Sequence, residues 1–300
     1  MKSKDNVEKI AMRVSCVSIV ANVMLSLFKL FAGVFAHSGA MVSDAVHSAS
    51  DVFSTFVVMI GIKLASKESD KEHPYGHERM ECVAAIILAT VLCITGLFIG
   101  KDAIIDLMNG ESSTKLEPGV LALIAAITSI VVKEGMYWYT RHFAKKIDSS
   151  ALMADAWHHR SDALSSIGAL VGIAFALFGY PMMDSVASIV ICLFIVKAAY
   201  DIFKDAVDKM VDKSCDPQVE EEIRSIVLAH DGVRGIDRLQ TRQFGNKMYV
   251  DLEICADGDK SLNETHVIAE AVHDSIENQF PKVKHIMVHV NPFCLEEHGE

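Results

Sequence analysis

Apolar residues fill two uninterrupted stretches, Cys82 to Gly100 and Ala163 to Met183. Each is close to the ~20 residues a helix needs to cross the hydrocarbon layer. Four more apolar stretches, about 10–36, 40–64, 118–140 and 182–203, are interrupted by charge. Lys29 breaks the first; Asp44, His47 and Asp51 break the second; Lys133 and Glu134 break the third; Asp184, Lys197 and Asp201 break the fourth. Lipid offers no partner to backbone N–H and C=O groups, so each crossing is expected to be a helix, with its charged side chains turned into the bundle. The pattern predicts six crossings. Lys29 either pairs with a carboxylate of the polar motifs described below or reaches outward along its aliphatic stem.

From about residue 213 the pattern becomes that of a small folded unit. Helices are expected over 220–230 and 261–280, and strands over 236–243, 247–255 and 284–291, with a turn at Gly245-Asn246 before the second strand. The fold class is therefore an α-helical membrane protein: a six-helix transmembrane bundle over 1–212, then a cytoplasmic α+β domain of ferredoxin-like order αββαβ over 213–300. A unit of about 80 residues buries little core alone, and packing against a second copy helps it.

Composition supports the membrane reading: 51% of the 300 residues are hydrophobic, and mean hydropathy is positive at +0.29. Lysine and arginine set the orientation. They crowd the N-terminal arm (Lys2, Lys4, Lys9, Arg13), the 65–80 loop (Lys67, Lys71, Arg79), the 141–150 loop (Arg141, Lys145, Lys146) and the stretch after the sixth span. The other side has little beyond Lys115, so both termini are predicted to be cytoplasmic. The first helix carries charge and has no small-residue cleavage site, and it is expected to be a retained span. Seven cysteines without CxxC spacing suit a reducing compartment and exclude a thiolate zinc finger. The 214–300 region holds 17 Asp and Glu against 8 Lys and Arg. Nucleic acid is an unsuitable partner for that surface, whereas cations fit it.

The polar interruption of the second span, DAVHSASD (44–51), has a near copy in DAWHHRSD (155–162) at the head of the fifth. In each, a His and an Asp stand four residues apart, which puts them on one helix face a turn from each other. The second and fifth spans run in opposite directions. The centre of each motif lies roughly 12–15 Å into its span at ~1.5 Å per residue, near mid-membrane. His47, Asp51, His158 and Asp162 then present two imidazole nitrogens and two carboxylate oxygens to one point, a donor set suited to zinc. A divalent cation, or a proton once it leaves, would balance the carboxylates. Asp44 and Asp155 are either helix caps or groups that brace a ligand. His159 and Arg160 point elsewhere on the helical wheel.

With DAVHSASD, DAWHHRSD and the loop sequence HPYGHERME (73–81), the chain resembles the cation diffusion facilitator family over nearly its whole length. The resemblance implies a homodimer that exports divalent metal ions, commonly in exchange for protons, from a bacterial inner membrane. It places the transport site on His47, Asp51, His158 and Asp162, and His47 resembles the zinc-preferring pattern. A second site in the loop maps onto Asp70, His73 and His77, which are also two imidazoles and a carboxylate among turn-forming residues. A cytoplasmic site maps onto Asp237, Asp251, His266 and His289. The first two are His in some relatives, and Asn291 replaces a carboxylate, so harder oxygen donors weaken zinc binding there.

Four protein ligands leave no open position for a reacting water, and HExxH is absent, so an enzyme is not expected. The expected function is zinc export by alternating access. Imidazole ligates a metal only when neutral, so proton and metal compete for the same nitrogens. The alternatives are an exporter for manganese or iron and, in another class, a metal-responsive membrane sensor whose ion never leaves.

Overall fold

The computed structural model describes the chain except residues 1, 36–38, 110–119, 178–182 and 294–300. It divides into two compact units, Met1–Val207 and Asp208–Glu300.

Among the described residues the first unit is built from long helices: α1 (Lys2–Phe35), α2 (Gly39–Ala65), α3 (Met80–Asn109), α4 (Val120–Ile147), α5 (Ser150–Leu177) and α6 (Met183–Met210). Several outrun the apolar stretches that predicted them. Helix α5 begins 13 residues before the uncharged run at 163, because a helix satisfies its backbone internally whether its side chains are polar or apolar. Its start is marked locally. Asp148 turns the chain with a left-handed φ of 55°, and Ser149 caps α5 by accepting a hydrogen bond from Leu152 N at 3.1 Å. Two residues thus join α4 and α5 into an antiparallel hairpin, and those helices pack along each other. Helix α1 packs on α2 and α4, while α2 and α3 also touch α5.

Small side chains permit the close approaches. A Cβ on Gly61 of α2 would collide with Ala84 Cβ of α3. Ala11, Ala89, Ala144, Ala151 and Ala154 line the same core. Polarity is inverted relative to a water-soluble bundle. Phe53 and Val131 are 73% and 65% exposed, whereas Asp51 and Lys133 on the same two helices are 3% and 2% exposed. Buried charge under an apolar girdle is the arrangement hydrocarbon requires, but α6 departs from the expectation: Lys197 and Asp201 are exposed. By length and hydropathy, Val7–Ala32 and Met80–Ile105 are each long and apolar enough to cross a membrane.

The second unit comprises α7 (Pro217–Leu228), β1 (Val233–Phe244), β2 (Lys247–Asp257), α8 (Leu262–Gln279) and β3 (Val283–Phe293). Helix α7 starts three residues earlier than expected. Asp216 accepts a hydrogen bond from Gln218 N at 2.9 Å, and Pro217 sits in the first turn, where its missing N–H costs nothing. Helix α8 opens on a capping box between Ser261 and Glu264. The sheet order is β1-β2-β3, with β1 and β2 antiparallel across the Gly245-Asn246 turn and β2 and β3 parallel through the α8 crossover. Gly245 takes φ 62° there, a conformation open to glycine. Ile223 and Val227 of α7 and Ile268, Val272 and Ile276 of α8 pack on Val250, Leu252, Ile254 and Ile286. Strand alternation leaves Asp251, Glu253, Cys255, His285, Met287, His289 and Asn291 on the opposite face of the sheet.

Candidate metal centre

Helices α2 and α5 bring their motifs together. Asp51 Oδ1 lies 3.4 Å from His158 Nε2, and ligand atoms of Asp51, His158 and Asp162 all fall within 4.8 Å of one another. Asp51 and His158 are buried and Asp162 nearly so. Two carboxylates and an imidazole converging at this spacing form a donor set for a divalent cation of borderline or hard character. His47 lies on α2 one turn before Asp51, and its side chain is outside the described residues.

A fourth group faces the same carboxylates. Lys133 of α4 donates to Asp51 Oδ2 at 2.5 Å and to Asp162 Oδ2 at 2.8 Å. From sequence it was only an interruption of the fourth span. The signal that finds it is physical: an ammonium inside a membrane bundle needs an acidic partner. Lys29 of α1 is buried and donates to Ser48 Oγ, within the first motif, at 2.9 Å.

Asp155 is not a helix cap, because that position belongs to Ser149. It is fully buried a turn and a half into α5, accepts a hydrogen bond from Thr55 Oγ1 of α2 at 3.2 Å and stands 3.5 Å from His159 Nε2. It therefore ties the two motif helices together. Arg160 points away from the cluster, toward Glu134 at 3.7 Å and over the Tyr137 ring at 4.4 Å.

The loop residues Asp70, His73 and His77 also converge, with ligand atoms within 4.8 Å of one another. Gly76, at φ 93°, makes the turn that brings the two imidazoles to 4.5 Å between ring centres. Asp70 Oδ1 accepts from the backbone N–H of His73 at 2.8 Å and of Glu72 at 3.1 Å. Its Oδ2 accepts from Lys67 at 2.6 Å and lies 3.5 Å from His77 Nε2. The Lys67 ammonium, then the His73 N–H, holds the Asp70 carboxyl well below the usual carboxylate range. His77 is buried, with Nδ1 3.1 Å from the Glu68 carbonyl, which directs Nε2 toward Asp70.

The four cytoplasmic candidates do not gather within one chain. Asp237 sits at a register shift of β1, and both its oxygens accept hydrogen bonds, Oδ1 from Cys255 Sγ and Oδ2 from Asn291 Nδ2, each at 2.7 Å. Burial, followed by that bond to Asp237, raises the Cys255 thiol to about 11. Asp251 and His289 share the open sheet face, but Asp251 pairs with Met287 and His289 with Glu253 across β2 and β3. Asp251 lines a polar pocket of about 390 Å³ with Asp212, Glu220 and Arg242. His266 is exposed on α8, which covers the other face of the sheet.

Residues 15–211 match the cation efflux transmembrane domain, and residues 215–293 match the cytoplasmic domain of cation efflux proteins. The chain belongs to the cation diffusion facilitator family. It is similar to the manganese efflux system protein MneP of Bacillus subtilis (strain 168), with 31% identity over 96% of this chain and 98% of that one. It also resembles the uncharacterized transporter MJ0449 of Methanocaldococcus jannaschii, with 37% identity over 91% of this chain and 95% of that one. The magnetosome protein MamB of Magnetospira sp. (strain QH-2) is 30% identical over 90% of this chain and 92% of its own. The resemblance read from the motifs is borne out, and so is the expected fold class. The protein is a membrane-integral divalent-cation efflux transporter, not an enzyme, and its cytoplasmic domain is of the dimerising kind.

Proposed function

We propose that the divalent cation crosses the membrane through a midplane site formed by Asp51 and His47 of α2 and His158 and Asp162 of α5. The observation that carries this reading is the convergence of the Asp51, His158 and Asp162 ligand atoms within 4.8 Å. Helix rearrangement exposes the site first to the cytoplasm and then to the far side. Because imidazole ligates only in its neutral form, protons that take His47 and His158 displace the metal, and transport runs as metal–proton exchange. Zinc is the proposed substrate, supported by the paired imidazoles of the two motifs. Manganese is the second reading, favoured by the full-length similarity to a relative named for manganese efflux.

Residues 1–212 act as the transport domain, and residues 213–300 pair two copies, with both termini cytoplasmic in a bacterial inner membrane. Asp70, His73 and His77 form a further cation site in the cytoplasmic loop, with Asp70 already a carboxylate at neutral pH. Asp237, Asp251, His266 and His289 bind regulatory metal only once two protomers pair, since their separation within one chain calls for donors from a second copy.

The test is metal uptake into sealed vesicles under an imposed pH gradient, with Zn2+, Mn2+ and Fe2+ in competition. The wild type is expected to accumulate Zn2+ in a gradient-dependent manner, and Asp51→Asn or Asp162→Asn to abolish it while dimers persist. His47→Asp should widen competition toward Mn2+ and Fe2+. Undiminished flux in Asp162→Asn would overturn the site, and preferred Mn2+ uptake by the wild type would overturn zinc.

A further inference from the structure

The motif carboxylates already have a cation between them, and it belongs to the protein. Lys133 Nζ lies 2.5 Å from Asp51 Oδ2 and 2.8 Å from Asp162 Oδ2, bridging α2 and α5 from a third helix, α4. The lysine is 2% exposed, so its ammonium has no water to fall back on. Two carboxylates without a counter-charge are costly at this depth, and the Lys133 ammonium supplies positive charge to both.

We propose that Lys133 is a tethered competitor of the transported ion. Its ammonium holds Asp51 and Asp162 together, is displaced when a divalent cation binds there, and returns to help expel that cation. This rests on the intramembrane site proposed above.

Geometry makes the competition direct. A metal ligated by both carboxylates draws oxygen to ~2.0–2.2 Å. Two of the oxygens it would use are already committed to the ammonium. A divalent ion and an ammonium on the same pair of carboxylates also repel each other strongly where water is excluded. Lysine is well suited to such exchange, because its compact charge rides on a flexible four-carbon stem and can withdraw without unwinding α4. A monovalent ion gains little by replacing one positive charge with another. A divalent ion brings twice the charge of the ammonium it displaces, so the exchange favours it. Glu134, the neighbour of Lys133 on α4, lies 3.7 Å from Arg160.

The chain therefore gives up affinity for release. An internal competitor lowers apparent binding in proportion to how fully it occupies the site. It also stops the outward-facing site from holding its cargo.

The test is equilibrium Mn2+ binding and vesicle transport by the full-length protein carrying Lys133→Met, which keeps the stem and removes the charge. Mn2+ affinity at the site, taken as the binding that Asp162→Asn abolishes, should rise on the order of tenfold. KM for transport should fall and Vmax fall with it, and Lys133→Arg should restore binding near the wild-type level. A purely structural lysine predicts weaker binding in Lys133→Met. Unchanged or weaker Mn2+ binding in that variant, with Asp162→Asn still abolishing the site, would overturn the inference alone. If Asp162→Asn binds Mn2+ as the wild type does, the site itself fails and this inference falls with it. Should Lys133→Met not fold, an experimental structure of the wild type with Mn2+ decides. The ion on Asp51 and Asp162 with Lys133 Nζ withdrawn beyond hydrogen-bond distance supports the proposal; the ion there with both Lys133 bonds intact contradicts it.

Discussion

At the scale of single residues, the pairing of His158 with Asp162 on one face of α5 was legible because an interval of four keeps two residues a turn apart. Asp51 of α2 meets His158 and Asp162 of α5 through the packing of the two helices. Lys133 was visible but could not be assigned. Which acid an intramembrane lysine pairs with depends on the rotation of α4 against α5, and no periodicity in a single helix encodes that rotation. The Asp155–Thr55 bond was hidden for the same reason, since it joins residues a hundred positions apart. Cys255 illustrates a local environment with a measurable consequence. Its thiol, 5% exposed and bonded to Asp237, is raised from 9.0 to about 11. The thiol form is thus favoured by folding; that contribution is whole below the unfolded value and is lost as pH rises through about 11. At pH 8, iodoacetamide should alkylate Cys255 roughly tenfold or more slowly than free cysteine, followed residue by residue by mass spectrometry. Alkylation at the rate of an ordinary thiol would mean that the bond to Asp237 does not persist.

At the scale of elements, the apolar stretches announced where helices cross but not where they begin and end. Helix α5 runs through its own polar motif and starts at a serine cap, while α7 starts at an Asp-Pro pair that precedes its apolar stripe. Caps act through individual backbone N–H groups, and hydropathy does not register them. The cytoplasmic strands were easier, because alternation and the glycine turn fix both face and register. That same alternation explains why His266 stands apart. Helix α8 must bury Ile268, Val272 and Ile276 against the sheet, so it lies across the face opposite Asp251 and His289. Ile276 is fully buried in this core. Ile276→Ala should cost ~2–5 kcal/mol of domain stability through lost contacts and the cavity left behind. Chemical denaturation monitored on the cytoplasmic domain of the full chain checks this. A loss below about 0.5 kcal/mol, typical of surface sites, would mean that α8 does not pack as described.

At the scale of the whole molecule, two units divide the work. A helical unit buries Lys29, Asp51, Lys133 and Asp155 while exposing large apolar side chains, and a small sheet domain belongs to a dimerising kind. The inside-out polarity follows from the solvent. Charges tolerated in hydrocarbon are those that satisfy one another, and here they are satisfied where a divalent ion could take their place. A single cation shared by α2 and α5 is the core of the proposed mechanism. The most direct measurement is the metal content of purified full-length protein, with the loop site disabled by Asp70→Asn and His77→Gln, before and after adding Asp51→Asn and Asp162→Asn. Elemental analysis after equilibration with Zn2+ should show the loss of one ion per chain when the two intramembrane carboxylates are replaced. Metal content unchanged by that replacement would contradict the claim.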